Sequence, residues 1–279
     1  MSSLDLLSIG RVSVDLYAEQ PGVTMSDVTT FRKSIGGTAT NVAVATARYG
    51  HAVALATRVG DDQFGRYVAD ALRNTFNVDP RFVAIHPTLK TPLAFAELDP
   101  PEDPTIIFYR EPAAPDMEIE TTPPLLDAVD TARILWIPAS RFAFGRSRTT
   151  VTELLQRRNR KHHTVLDLDW RPMFWDSEEQ AHAAISPMLD HVTIAIGNRK
   201  ECEVAVGTYD PDEAADRMLD RGLDAAIVKL GGDGVMVATP QLRERLSPYP
   251  VEVVCGLGSG DAFGGAFCHG LLEGWSLPD

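Results

Sequence analysis

At 279 residues, with 44% hydrophobic and 23% charged residues, the chain has the composition of a folded protein and the length for one large α/β domain or two ordinary ones. Its formal net charge of −13 argues against a nucleic-acid partner, and any anionic substrate would have to meet a local cluster of Arg, Lys or metal. Cys202, Cys255 and Cys268 lack metal-ligand spacing, the start carries no basic leader, and no apolar run approaches about 18 residues, which argues against a disulfide framework, a zinc site or a membrane span and predicts a cytoplasmic protein.

The run Leu4 to Ile9, stopped by Gly10, predicts a buried strand. A polar stretch reaches about Ser34, and after Gly36-Gly37 the Ala- and Val-rich segment Thr38 to Tyr49, closed by Gly50, predicts a buried helix. The pattern then alternates: strand Val53 to Arg58, helix Gln63 to Asn74, strand Arg133 to Ile137, helix Ser147 to Asn159, strand Thr164 to Leu168. It continues with helix Glu178 to Leu189, strand Val192 to Ile196, helix Pro211 to Arg221, strand Ala225 to Leu230 and helix Asp261 to Leu272. Such interleaving predicts an α/β fold with a central, mainly parallel sheet between helices, binding ligands beyond the carboxyl ends of its strands.

Thr91 to Arg110 breaks the alternation. Leu93 to Leu98 and Thr105 to Tyr109, separated by Asp99-Pro-Pro-Glu-Asp-Pro, predict a hairpin. With residues from about 11 to 34 it predicts a small β-lid, an element that closes a site against water. The exposed edges of lid strands point to a homodimer as a partner arrangement. One main domain over residues 1–279 with this lid is the expected organisation.

The segment Val251-Glu-Val-Val-Cys-Gly-Leu-Gly258-Ser-Gly260-Asp261 leads an apolar strand through glycines directly into a helix. Glycines there let backbone N–H groups converge at a helix N-terminus, whose partial positive charge suits a phosphoryl anion. Asp261 can accept a proton from an attacking hydroxyl; the competing reading is a tight turn with Asp261 as helix cap. Asn198-x-x-Glu201, taken alone, reads as a helix-start Asn with a solvent-facing Glu. Lys229-Leu-Gly231-Gly-Asp-Gly234 ends a strand either beside a nucleotide or in a hairpin turn with a surface Lys. No G-x-x-x-x-G-K-[ST] and no H-R-D or D-F-G set occurs, which excludes the P-loop and protein-kinase architectures, and Gly10 lacks the glycine spacing of a dinucleotide site.

In order and spacing, Gly36-Gly37-Thr-Ala-Thr-Asn41, Asn198-Arg-Lys-Glu201 and Gly258-Ser-Gly-Asp261 resemble the three marks of the PfkB/ribokinase family, over nearly the whole chain. The resemblance implies a ribokinase-like three-layer fold with a small β-lid and ATP-dependent phosphorylation of a sugar hydroxyl. Asp261 is then the catalytic base, with the amides of Gly258, Ser259 and Gly260 as an anion hole. Asn198 and Glu201 organise Mg²⁺ through water beside the nucleotide phosphates, and Lys229, Gly231 and Gly234 lie near the nucleotide. Asp15 is expected to bind a substrate hydroxyl, with Gly36, Gly37 and Asn41 around other sugar oxygens. The family pattern has Asp-Thr where this chain has Cys255-Gly256, which loosens the inference of the metal and of a monovalent cation; Ser259 in place of the common Ala keeps its backbone donor. The pattern also continues past Asp279 with a helical segment walling the adenine pocket, expected to be missing here.

Phe108-Tyr-Arg110-Glu-Pro-Ala-Ala-Pro-Asp116 and Asp167-Leu-Asp169-Trp-Arg171-Pro-Met-Phe-Trp175 resemble stretches of the family branch that phosphorylates a keto-deoxy sugar acid in inositol catabolism. Arg110 at a lid tip and Arg171 at a strand end are expected to point into one cleft and grip the substrate carboxylate. The alternative is that they pair with Asp116 or Asp169 in packing. Another sugar kinase of the family, or a non-catalytic sugar- or nucleotide-binding relative, are the alternatives for the whole chain.

Overall fold

The computed structural model describes residues 3–20, 22–97, 105–252 and 256–277. β1 (Leu6–Ile9) shows how a central strand is specified: all four residues are buried, Leu7 and Ile9 in one apolar layer and Leu6 in the other, while Ser8 Oγ donates to the Ala39 carbonyl at 2.8 Å. The chain continues through β2 (Ser13–Ala18) and β3 (Phe31–Gly36) into α1 (Thr38–Arg48), then β4 (Val53–Gly60), α2 (Gln63–Asn74), β5 (Val83–His86), β6 (Leu93–Glu97), β7 (Thr105–Tyr109), α3 (Pro123–Thr131) and β8 (Ile134–Pro138). Next come α4 (Gly145–Arg158), β9 (His163–Asp167), α5 (Glu178–Ile185), β10 (Ile194–Asn198), α6 (Arg199–Val206), α7 (Pro211–Asp220), β11 (Ala225–Lys229), β12 (Val235–Ala238), β13 (Arg243–Leu246) and α8 (Ser259–Glu273). Side-chain caps set several helix starts: Asp62 accepts from Gly65 N at 2.8 Å and Asp210 from Glu213 N at 2.9 Å, each contact contributing about 1 kcal/mol.

The expected α/β architecture is the one observed. Nine strands lie in the order β13-β12-β11-β10-β9-β8-β1-β4-β5, parallel from β5 to β11 and antiparallel beyond. One face is covered by α1, α2 and α8, through Val42, Leu72 and Cys268; the other by α3 to α7, through Leu125, Leu154, Ile185, Val204 and Met218. Because helices cover both faces, the central strands are apolar at successive positions rather than alternate ones. β9, β10 and β11 run side by side and end at Asp167, Asn198 and Lys229, which brings three polar side chains to one edge.

A second sheet, in the order β3-β2-β6-β7, stands beside the first, with β6 and β7 as the expected antiparallel hairpin and β3 and β7 as open edges. Residues 98–104 between β6 and β7, where the turn was expected, lie outside the described residues. Four connections join this sheet to the rest of the fold: residues 10–12 between β1 and β2, Gly37 between β3 and α1, residues 87–92 between β5 and β6, and residues 110–122 between β7 and α3. Among the described residues no helix is long and apolar enough to cross a membrane.

Several expectations needed correction. The helix expected to reach Leu189 stops at Ile185 and continues as 3-10 turns over Ser186–His191, because Pro187 lacks an N–H and its ring crowds the preceding turn. The strand expected over Val251 to Cys255 is not seen at Val251 and Glu252, and 253–255 lie outside the described residues. β5, α3, β12 and β13 were not anticipated.

α8 lies against α1 and β8 because it carries glycines there. A Cβ on Gly264 would stand 2.8 Å from Trp136 Cη2; one on Gly265 would overlap the Ala45 Cβ and come within 3.1 Å of the Ala45 and Thr46 backbone. Alanine gains about 1 kcal/mol over glycine inside a helix, but overpacking costs about 1–3 kcal/mol and here the obstacle is rigid backbone. Gly265→Ala is therefore expected to lower stability, by about 1–2 kcal/mol in urea unfolding; an unchanged or higher midpoint would contradict this packing.

Candidate active site

The carboxyl ends of β9, β10 and β11 open into a cleft lined by Asp167, Asp169, Arg171, Asn198, Glu201, Lys229 and Gly231, with Thr38 of α1, Ile106 of β7 and residues 256–261 at the head of α8. Gly258 caps α8 in the left-handed region (φ 78°), a conformation that favours glycine. Ser259 N–H donates to the Gly256 carbonyl at 3.3 Å, so this amide of the expected anion hole already has a partner. First-turn amides of a helix otherwise lack intrahelical acceptors, and the positive end of the helix dipole lies there. Gly260 leaves room for a cation: a Cβ on it would sit 3.3 Å from Lys229 Nζ.

Asp261 lies in the first turn of α8, and its Oδ2 accepts from Asn41 Nδ2 at 2.7 Å. Burial pushes this carboxyl up to about 6, against the opposing Asn41 donation and the positive charges of Arg171 and Arg11, with Asp169 adding to the rise. Burial also raises the Asp167 carboxyl, helped by Asp169, Glu201 and Asp261 and opposed by Lys229. For Lys229 burial alone favours the neutral amine, but Asp167 and Glu201 outweigh it and hold the ammonium charged.

Asn198 and Glu201 form a reciprocal capping box at the start of α6: Asn198 Oδ1 accepts from Glu201 N at 2.9 Å, and Glu201 Oε2 from Asn198 N at 2.6 Å. The helix-start reading of Asn198 is correct, whereas Glu201 is buried rather than solvent-facing, with Lys229 Nζ at 3.6 Å. Lys229, Gly231 and Gly234 belong to the β11–β12 hairpin. Gly231 lines the cleft, while Gly234 (φ 92°) instead packs under the Leu246 carbonyl of β13. Cys255 lies outside the described residues and Gly256 lines the cleft.

Of the expected sugar-side residues, Asp15, Gly36, Gly37 and Asn41 are not among the cleft-lining residues; Asp15 of β2 accepts from Ser13 Oγ at 2.6 Å and lies so close to Gly36 that any Cβ there would overlap its carboxylate. Burial raises the Asp15 carboxyl, against Ser13 and Arg11. Gly37 (φ 103°) lets the chain turn into α1 over the Arg11 carbonyl. Asn41 reaches Asp261 from the same helix.

The expected pair Arg110 and Arg171 is divided between two carboxylates. Arg171 lines the cleft and donates to Asp169 Oδ1 at 2.9 Å; Arg110 is 6% exposed, is not among the cleft-lining residues, and donates to Asp116 Oδ1 at 2.6 Å. The pairing with Asp116 and Asp169 that the sequence left as the alternative is thus present for both. Two guanidiniums escaped the sequence reading. Arg11 bonds Asp169 Oδ2 (3.3 Å) and Thr38 Oγ1 (2.8 Å), and Arg141 donates to the Asp116 carbonyl at 2.7 Å. Arg11 and Arg110 each lie 5.3 Å from the Phe174 ring centre. Among the described residues Arg11 Nε, Arg110 Nε and Arg141 Nε and Nη2 are buried without an acceptor. Arg11 was legible as a lone cation following an apolar strand and glycine; Arg141 carried no such signal.

A doubly covered, mainly parallel sheet with a polar cleft at its strand ends and a small sheet alongside defines the ribokinase-like class of α/β fold. A PfkB protein from Polaromonas sp. JS666 superposes with a TM-score of 0.86 at 24% identity, over 99% of this chain and 91% of that one. A Xylella fastidiosa fructokinase, solved with bound ATP, superposes with a TM-score of 0.83 at 23% identity, over 97% and 82%. The sequence pattern of the pfkB family carbohydrate kinases matches residues 3–279, and the chain belongs to that family. It is 30% identical over 282 residues to a 5-dehydro-2-deoxygluconokinase of Geobacillus thermodenitrificans (strain NG80-2), covering 99% of this chain and 83% of the relative.

Asp116, fully buried, accepts from Arg110 and from Val12 N (3.2 Å) and lies 3.8 Å from Arg141. Removing one partner from a buried ionic cluster strands the remaining charges, at about 3–5 kcal/mol. Asp116→Ala is expected to lose about that much in chemical denaturation; a loss under 1 kcal/mol would show that Asp116 does not neutralise the arginines.

Proposed function

We propose that the chain transfers the γ-phosphoryl group of ATP to a hydroxyl of a sugar acid, 5-dehydro-2-deoxygluconate, giving the 6-phosphate in inositol catabolism. The observation that carries this reading is Asp261, held by Asn41 inside the cleft at the head of α8. Asp261 accepts the proton of the acceptor hydroxyl as its oxygen attacks the γ-phosphorus and the bond to ADP breaks. The helix head with Gly258, Ser259 and Gly260 meets the charge on the transferring group, and Lys229, Asn198 and Gly231 face the nucleotide phosphates, with Gly234 shaping their hairpin. ATP as donor is supported by the fold shared with the ATP-bound fructokinase.

The donor set fits Mg²⁺ held through water. Glu201 and Asp167 line the cleft, yet among the described residues the cleft carboxylates do not gather three ligand atoms within 4.8 Å, and magnesium keeps several of its waters. When bound, the ion neutralises phosphate charge. On the sugar side Asp15, Gly36 and Gly37 receive hydroxyls, and Asn41 also orients Asp261. The small sheet acts as the lid of a domain that spans the chain.

Four guanidiniums, Arg11, Arg110, Arg141 and Arg171, gather around Asp116 and Asp169, with buried donors lacking acceptors. This favours an acid over a neutral sugar: Arg171 meets the carboxylate, with Arg110 in the positive ground behind Phe174. The substrate named for the Geobacillus relative agrees.

In a coupled ADP-release assay the keto-deoxy acid is expected to turn over and fructose poorly; the reverse order would reject the substrate. Arg171→Ala is expected to raise KM for the acid about tenfold or more, and to leave that for a neutral sugar unchanged. Asp261→Asn is expected to lower kcat by about 10²–10⁴ while KM changes little. Because the base must be ionised, kcat/KM is expected to fall as pH drops through about 6. Asn41→Ala removes a donor that favours the ionised carboxylate, so this acid limb moves to higher pH; movement to lower pH would contradict the role of Asn41.

A further inference from the structure

At the far end of α8 from Asp261, His269 and Glu273 stand one turn apart on the same helix face, and His51 reaches them from the connection between α1 and β4. His51 Nε2 lies 2.8 Å from His269 Nδ1 and 4.0 Å from Glu273 Oε1, and all three atoms lie within 4.8 Å of one another. The other His51 nitrogen, Nδ1, is 3.9 Å from Asp5 Oδ2. Asp5 is held in turn by Arg133 at 3.1 Å and by Ala52 N at 2.9 Å. The His269 ring is fixed from two sides: Tyr49 stacks on it at 4.4 Å with planes 6° apart, and Trp275 meets it edge-on at 5.1 Å.

We propose that His51, His269 and Glu273 form a binding site for a borderline divalent transition cation such as Zn²⁺, separate from the catalytic cleft, with a fourth position open to water. Two imidazoles and one carboxylate are a donor set suited to zinc rather than to magnesium or calcium. A tetrahedral centre with bonds of about 2.0–2.1 Å sets its ligand atoms about 3.3–3.4 Å apart. The separations of 2.8 and 4.0 Å straddle that value and the third is within 4.8 Å, so adjustment of the side chains admits the ion. Asp5, 3.9 Å from His51 Nδ1, stands where a carboxylate can close on the outer nitrogen of a metal-binding imidazole. The ligands also stand at the C-terminal, negative end of the α8 dipole, in a chain of net charge −13. On binding, the proton shared between the rings moves to the remote nitrogen of its own ring, and both facing lone pairs become available. Cysteine-centred spacing rules could not disclose the site, since its histidines are 218 residues apart.

Calorimetric titration of Zn²⁺ into the chelator-treated full chain tests this, alongside the visible spectrum of the Co²⁺ form. One ion per chain and the intense absorption of four-coordinate Co²⁺ are expected. His51→Ala and His269→Ala are each expected to weaken binding about 100-fold or more, and Glu273→Ala and Asp5→Asn about tenfold. Glu273 is exposed, so its alanine variant remains informative if a histidine variant fails to fold. No stoichiometric uptake, or uptake undiminished in any one of the three alanine variants, overturns the site and leaves the histidines as a hydrogen-bonded pair. The readout is metal uptake, so it is independent of the proposed substrate and turnover.

Discussion

The close seating of α8 on α1 is the constraint on which the cleft depends. Gly264 and Gly265 remove the side chains that would hold the two helices apart, and with the gap closed Asn41 reaches Asp261 at 2.7 Å. A carboxylate buried this deeply tends toward its neutral form; one donor from α1 and the nearby guanidiniums keep it within range of ionisation near neutral pH. The packing of two helices and the protonation of one oxygen are therefore a single problem, solved by residues 220 apart in the chain.

Charge is divided across the cleft in a way that composition hides. A chain with net charge −13 concentrates four guanidiniums around Asp116 and Asp169 and one ammonium beside the head of α8. The carboxylates between them, Asp167, Asp169, Glu201 and Asp261, keep these cations from repelling one another. They are also close enough to shift one another's proton affinities. Such an arrangement is costly to bury: the unaccepted donors of Arg11, Arg110 and Arg141 lie behind the cleft lining, and Arg171 is the arginine that reaches it.

The central sheet was legible because its strands are apolar at consecutive positions, as burial on both faces demands, and the helix expected over Gln63 to Asn74 matches α2 end to end. β13, Arg-Glu-Arg-Leu, was hidden: an edge strand needs no apolar run, and its charges pair with the neighbouring α7. The cleft was legible as a set of glycine turns and polar strand ends. Its wiring was only partly legible: the partners of Arg11 and Asn41 are set by tertiary contact, whereas the local pairing of Arg171 with Asp169 stood in the sequence as the alternative to a ligand. Arg110 read as a cation aimed at ligand, whereas its partner, six residues away across a proline-rich turn, is already present in the fold.

Two of the four connections of the small sheet have a mechanical consequence. Arg11 sits within one and Gly37 is another, so a tilt of the sheet would drag Asp15, the Gly36–Gly37 bend and the guanidinium lying on Asp169. Asn198, Lys229 and the head of α8 are rooted in the main sheet and stay where they are. In the proposed reaction Asp15 and Gly36 would therefore ride with the small sheet, whereas Asp261 of α8 and Arg171 just after β9 would stand with the main one.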